Sequence, residues 1–278
     1  MDIRDLTSEL VLEGDGIWYS KHSPVVSYPK GGNADCFSLE EGSFWFEHRN
    51  ACIQAVIDAW PVPGDGAIFD IGGGNGYVSL GLVAKGHDVV LVEPGVIGAR
   101  NARSRGLQNV ICATMETAGF NLGAIPAVGL FDVLEHVEDA NEFLTSLGGL
   151  MAPAGRLYIT VPAYSFLWSL EDVVSGHYKR YTKTHLARQV EAAGFDVDFV
   201  SYFFRFLPLP VFLMRALPYR LGMASEQQVK ERQVRHHNVN PGIKNSIVNA
   251  LLKHEVRHIA ERKVMRFGGS CLIVASKR

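Results

Sequence analysis

Three clusters of residues in this 278-residue chain have types and spacings that could do chemistry. One is Asp70-Ile-Gly72-Gly-Gly74-Asn-Gly76, an acid followed by glycines at alternate positions, with Glu93 standing at the end of the next apolar run. Glycines there let a backbone turn sharply and approach a ligand closely. A carboxylate one strand over can accept two hydrogen bonds from a ribose diol. The second cluster is Asp132, Glu135 and His136 in "LFDVLEHVED", and the third is His177, Arg180 and Tyr181 in "SGHYKRY". Both combine acids or bases with groups that could orient an acceptor.

The glycine loop discriminates among ligands. A phosphate-binding loop needs GxxxxGK[ST], and no Lys-Ser/Thr follows here. The dinucleotide fingerprint needs a third glycine at position 77, which is Tyr77, and a frame shifted to Gly74 and Gly76 meets Ser79. That third glycine lets helix and strand pack closely around a pyrophosphate. Asp70 would repel a pyrophosphate, whereas an anion there suits a ligand carrying an ammonium and a sulfonium. S-adenosylmethionine is therefore the expected cofactor. An NAD-dependent oxidoreductase, which would share Glu93, and a non-catalytic S-adenosylmethionine-binding protein stay open as alternatives.

The surrounding pattern supplies the elements that must position these groups. Apolar runs at 67–71, 88–94, 109–112, 128–134, 156–162, 195–203 and 270–278 predict strands. Helical stretches at 77–85, 96–105, 138–151 and 184–193 separate them, the last stopping at Gly194. Continuous apolar strands alternating with helices imply an α/β, doubly wound, Rossmann-like parallel sheet covered on both faces. In such sheets ligands sit at the carboxyl ends of the strands. Residues 1–60 read as an N-terminal cap, irregular at first and helical from about Leu39 to Trp60. The cofactor core follows at 61–202, a basic and apolar helical insert at 203–268, and the final strand at 269–278.

Residues 67–161 resemble the cofactor core of class I, seven-stranded S-adenosylmethionine-dependent methyltransferases. "LFDVLEHVEDANEFLTSLGGLMAPAGRLYITVPA" and "SGHYKRYTKTHLARQVEAAGF" are similar to stretches of the ubiquinone-biosynthesis-like, type 11/12 subset. "SFWFEHRN" resembles an N-terminal segment of bacterial members associated with surface-polysaccharide or lipid modification. The resemblance implies strand order 3-2-1-4-5-7-6 with the last strand antiparallel. It places Gly72, Gly74 and Gly76 along the methionyl and ribose parts of the cofactor and Asp70 close to its ammonium. Glu93 would hold the ribose hydroxyls, Thr114 and Met115 the adenine, and Asp132 would lie between cofactor and acceptor. Met115 could equally be plain core.

Methyl transfer needs an aligned acceptor and exclusion of water. A hydroxyl acceptor also benefits from a base. His136 is the first candidate base, with capping of the following helix as its alternative role. His177, with Arg180 and Tyr181, is expected on the rim where acceptors enter, or else in a solvated helix lead-in. Trp45 and Phe46 would close over the cofactor or pack on the core, and Arg49 would meet the cofactor carboxylate. Similar acid-x-x-Glu-His stretches supply metal ligands in small-RNA 2′-O-methyltransferases. Asp132, Glu135 and His136 could thus take Mg²⁺ or Mn²⁺, but the expectation adopted is no metal.

Charge and composition bound the partners. Lys and Arg total 27 against 29 Asp and Glu, yet residues 203–278 hold 14 basic and 4 acidic residues. A basic tail on an acidic body suggests an anionic partner, or a solvated helical face. Within "FFRFLPLPVFLMRALPYRLG" (203–222), three prolines and three arginines exclude a membrane-spanning helix. It reads as a buried subdomain, an interfacial membrane contact, or a lid over a hydrophobic acceptor. Four scattered cysteines and no signal-like start point to a cytoplasmic protein. The expected acceptor is a small molecule, a glycan or a lipid-linked intermediate; nucleic acid is not expected.

Overall fold

The computed structural model describes residues 2–22, 37, 40, 42–64, 66–227, 229 and 246–278. Cys36 and much of the basic tail at 230–245 lie outside the described residues.

One nine-stranded sheet forms the centre of the molecule. Its strands are β1 (Leu10–Leu12), β2 (Trp18–Ser20), β3 (Ile68–Ile71), β4 (Val89–Val92), β5 (Val110–Cys112), β6 (Ile125–Phe131), β7 (Met151–Pro162), β8 (Phe195–Phe203) and β9 (Ser270–Lys277). They lie in the order β1-β2-β5-β4-β3-β6-β7-β9-β8. Counted from β3, the core strands run 3-2-1-4-5-7-6, and β9 is antiparallel to both β7 and β8. The core order is the expected one.

The strand count is not. The N-terminal cap contributes the hairpin β1–β2, and β2 pairs in parallel with β5 through Trp18 opposite Ile111 and Tyr19 opposite Cys112. An uncovered β5 would leave a row of unpaired backbone groups at the sheet edge. Strands of three residues, half-buried or exposed at most positions, carry too little periodicity to be seen in sequence. Two inner boundaries also move: β6 begins at Ile125, and β7 begins at Met151, where a helix end was expected.

Alternation along each strand divides the core between two faces. Phe69, Val90, Val92, Val128, Leu130, Leu157, Ile159 and Ile273 pack on one side, under Leu144, Leu147, Leu186 and Val190. These last four come from α5 (Ala140–Leu150) and α7 (Lys183–Ala192). Ile68, Val89, Ala127, Tyr158, Leu272 and Val274 pack on the other, against Ile53, Val56 and Ile57 of α1 (Phe44–Ala59) and Leu82 of α2 (Tyr77–Val83). Because both faces are buried, the strands read as unbroken apolar runs. A third cluster seats Ala99 and Ala102 of α3 (Val96–Ser104) against Ile17 and Leu91.

The insert begins as α8 (Pro208–Val211), continues through a π-helical turn (Phe212–Ala216) and ends as α9 (Leu217–Arg220). Later, α10 (Ser246–Ala260) packs against α1. Their join is polar and buried. His48 of α1 meets Oε2 of Glu255 at 2.9 Å, and Glu255 accepts the amides of Phe204 and Arg205 at 2.9 and 2.7 Å. The carboxylate thereby fixes Phe204 at φ 59°, an uncommon backbone region for a non-glycine residue. No helix among the described residues is long and apolar enough to cross a membrane.

Candidate active site

The neighbouring strands β4, β3 and β6 end side by side, which is where this topology switches direction. Asp70 near the end of β3, Glu93 after β4 and Asp132 after β6 are brought together there, as the sequence suggested.

The glycine loop is built to bend. Gly72, Gly74 and Gly76 all have positive φ, at 69°, 55° and 77°. At Gly76, the N-cap of α2, an added Cβ would stand 2.6 Å from Leu107 and 2.9 Å from Ala102. Gly76 therefore admits the close approach of α3 to the loop. Glu93 holds the loop from the next strand. Its two carboxylate oxygens accept the Gly74 amide at 2.9 Å and the Gly95 amide at 2.7 Å. Asp70 lies beneath the loop, 1% exposed, and accepts the Ser79 hydroxyl at 2.6 Å. Burial pushes its pKa up to about 6, against the opposing effects of the Ser79 bond and the Arg49 charge.

Several of the singled-out side chains are engaged within the protein. Arg49 is engaged within the protein: its Nε lies 2.6 Å from Oδ2 of Asp132, and a terminal nitrogen donates to the Phe131 carbonyl at 2.8 Å. Asp132 has φ 59° and also accepts the Thr160 hydroxyl at 3.1 Å. Trp45 stacks on Phe204 at 5.8 Å between ring centroids, and thus packs on the core. Thr114 caps the short helix α4 (Met115–Ala118) in a reciprocal capping box with Thr117. Met115 is buried in the main core. Tyr181 is a correction: it is fully buried, with its hydroxyl donating to the Leu134 carbonyl at 3.2 Å. A ring held on that inner carbonyl is not on the rim.

The strand-six and strand-seven side carries the charged machinery. Asp172, in α6 (Leu170–Val174), is 1% exposed and accepts from Arg180 through both oxygens at 2.7 and 3.0 Å. It also meets Nδ1 of His177 at 2.9 Å and receives the amide and hydroxyl of Ser169. Burial alone would raise its pKa, but the His177 bond and the Arg180 charge outweigh it and bring it down to about 2. Arg180 is accordingly held inside the protein. The His177 ring meets the His136 ring edge-on, with centroids 4.7 Å apart. His136 is pushed down to about 4 by burial first and by the His177 charge second. At neutral pH it is an unprotonated but weakly basic imidazole. Glu135 is 1% exposed, and burial followed by the Asp132 charge pushes its pKa well up.

Sequence reasoning missed Asp172, although Ser169-x-x-Asp172 is itself a capping-box pattern that marks the start of a helix. It missed Ser79 and Thr160, whose hydroxyls hold Asp70 and Asp132 and which had no motif of their own. It also missed the ring stack that follows β7. Tyr164, at φ 57°, lies 4.9 Å from Tyr202 and 5.1 Å from Phe166 between centroids.

Glycine loop, terminal acids and sheet order together define a class I S-adenosylmethionine-dependent methyltransferase. The chain belongs to the methyltransferase-domain family, whose model matches residues 45–199. Uncharacterized methyltransferases of Mycobacterium bovis and Mycobacterium tuberculosis are 28% identical over 140 residues, covering 46% of this chain and 68% of theirs. Among solved structures, Haemonchus contortus phosphoethanolamine N-methyltransferase 2 with S-adenosyl-L-methionine superposes at TM-score 0.54 and 16% identity, over 90% of this chain and 57% of that one. Geranyl diphosphate C-methyltransferase of Streptomyces coelicolor A3(2) gives 0.51 and 15%, over 81% and 76%. At these identities the likeness is one of fold.

Proposed function

We propose that this methyltransferase transfers its methyl group to oxygen, on a hydroxyl of a glycan, a lipid-linked intermediate or a small aromatic molecule. The observation that carries the reading is the pair of imidazoles, His136 and His177, beside the buried Glu135 and one strand from the glycine loop. Methyl transfer to an amine needs no activation beyond an unprotonated nitrogen, whereas a neutral alcohol is a poor nucleophile. A constellation able to withdraw the hydroxyl proton is what an oxygen acceptor requires. In this reading Gly72, Gly74 and Gly76 run along the methionyl and ribose groups, and Asp70 supplies a negative field toward the ammonium. Glu93 accepts the ribose hydroxyls, and the Thr114–Met115 step lies beside the adenine through its backbone. Asp132, held by Arg49 and Thr160, borders donor and acceptor.

The test uses donor labelled in its methyl group and a panel of glycan, lipid-linked and phenolic acceptors. Label that is stable to mild alkali and shown by NMR of the product to sit on oxygen identifies a methyl ether. Label recovered only on nitrogen or carbon would refute the reading.

A lipid-linked acceptor is favoured by one further feature. Leu209, Leu213, Met214, Leu221 and Met223 are each more than half exposed, in a segment that also carries Arg205, Arg215 and Arg220. Apolar side chains interspersed with arginines suit an anionic membrane surface. Sedimentation with anionic vesicles at low salt tests this, and equal recovery on neutral vesicles would count against it.

A further inference from the structure

Glu135, His136 and His177 do more than line the acceptor side. One ligand atom from each residue lies within 4.8 Å of those of the other two. Three atoms sharing one ion at about 2.1 Å lie about 3–3.6 Å apart, so side-chain shifts of about an ångström are needed to close the set. Oε2 of Glu135 is buried with no hydrogen-bond partner, in a residue only 1% exposed. A carboxylate oxygen stranded in this way is costly unless something positive meets it.

The charges around it are otherwise matched. Asp132 is paired with Arg49 and Asp172 with Arg180, while no Lys or Arg among the described residues forms an ion pair with Glu135. The His177 ring is anchored through one of its nitrogens. Nδ1 is held by Asp172, itself fixed by Arg180 and Ser169, which leaves Nε2 to offer its lone pair. A carboxylate behind a histidine is the usual support of a metal-binding imidazole.

We propose that Glu135, His136 and His177 bind one divalent transition-metal ion, with Asp172 orienting His177. The set differs from the one suggested by the Asp132, Glu135 and His136 spacing. Asp132 is committed to Arg49 and Thr160, and His177 arrives from a later loop. Two imidazole nitrogens and one carboxylate oxygen favour Mn²⁺, Fe²⁺, Co²⁺ or Zn²⁺ over Mg²⁺ or Ca²⁺, which prefer all-oxygen shells. Three protein ligands leave positions open for an acceptor oxygen. Such an ion would lower the pKa of a bound hydroxyl, and the proton would pass to solvent as the C–O bond forms and the sulfonium C–S bond breaks. This catalytic consequence rests on the oxygen-acceptor reading; the binding site itself does not.

The test is titration of the chelator-stripped full-length protein with Co²⁺, followed by visible absorption and by ¹⁵N-histidine NMR. One equivalent should develop ligand-field bands and selectively broaden two histidine ring signals. Glu135→Gln, which keeps the shape of the side chain, and His177→Ala should each weaken binding at least tenfold. Asp172→Asn should weaken it by roughly 10–100-fold. No uptake of Co²⁺, Mn²⁺ or Zn²⁺ by the wild-type protein would overturn the proposal. So would equal binding by a folded Glu135→Gln variant, or broadening of histidines other than 136 and 177. The two readings fail separately. A methyl ether formed by a protein that takes up no ion sinks only the metal site, while a bound ion with a nitrogen product sinks only the oxygen reading.

Discussion

The two halves of the site solve different problems by different means. On the donor side, between β3 and β5, positioning is done by backbone: three positive-φ glycines and two amides gripped by Glu93. On the acceptor side, after β6 and β7, it is done by charged side chains drawn together from α1, the β6 loop and α6. A cofactor common to a whole class is met by geometry that few residue types can supply. On the proposed reading, an acceptor particular to this chain would be met by side chains that could be exchanged without disturbing the sheet. The comparison teaches where specificity resides, and it can be attacked from either side.

The largest effect is expected on the donor side. Gly74→Arg places a long side chain on a positive-φ position inside the loop, and should lower S-adenosylhomocysteine affinity by more than about 100-fold. Calorimetry on a variant with unchanged circular dichroism measures it, and retention of affinity would remove the loop from the cofactor site. Next comes Asp172→Asn, which leaves Arg180 in a buried place without its counter-charge. A loss of about 3 kcal/mol in denaturant-derived stability is expected. A loss below about 1 kcal/mol would mean that the cluster is looser than its geometry indicates.

Asp70 gives a smaller effect with a defined sign. Its folded pKa of about 6 lies above the ordinary value of 3.8, so the fold favours the protonated acid. That contribution is complete below about pH 4 and is lost as pH rises through about 6, a change of up to about 3 kcal/mol. The unfolding free energy of Asp70→Asn relative to wild type should therefore rise across this window and then level off. Cofactor affinity should change in the opposite sense, increasing as Asp70 ionises toward the donor ammonium. A flat difference between pH 4 and 7 would contradict the burial argument. The smallest effect is at Leu213, 52% exposed. Leu213→Asp should alter stability by less than about 0.5 kcal/mol while reducing recovery on anionic vesicles. Unchanged recovery would detach the insert from any membrane role.

The same division governed what the sequence revealed. Donor-side features were legible because glycine spacing and strand-end acids are local and dictated by backbone physics. The core strand order followed from a resemblance resting on those motifs. The acceptor side was legible only as fragments. His136 and His177 were each singled out, but their edge-on contact depends on how the loops after β6 and β7 converge, which no spacing encodes. Arg49 was legible as a cation able to meet the cofactor carboxylate, whereas its ion pair with Asp132, far along the chain, was not. The β1–β2 hairpin was invisible because three-residue strands are stabilised by the edge they cover and not by their own pattern.

The central claim is that the glycine loop holds S-adenosylmethionine and not a dinucleotide. Calorimetric titration of the purified protein with S-adenosylhomocysteine, with NAD⁺ and NADH in parallel, tests it most directly. Micromolar binding of S-adenosylhomocysteine with no heat from either nicotinamide is the predicted result. Binding of NADH without S-adenosylhomocysteine would contradict the account at its root.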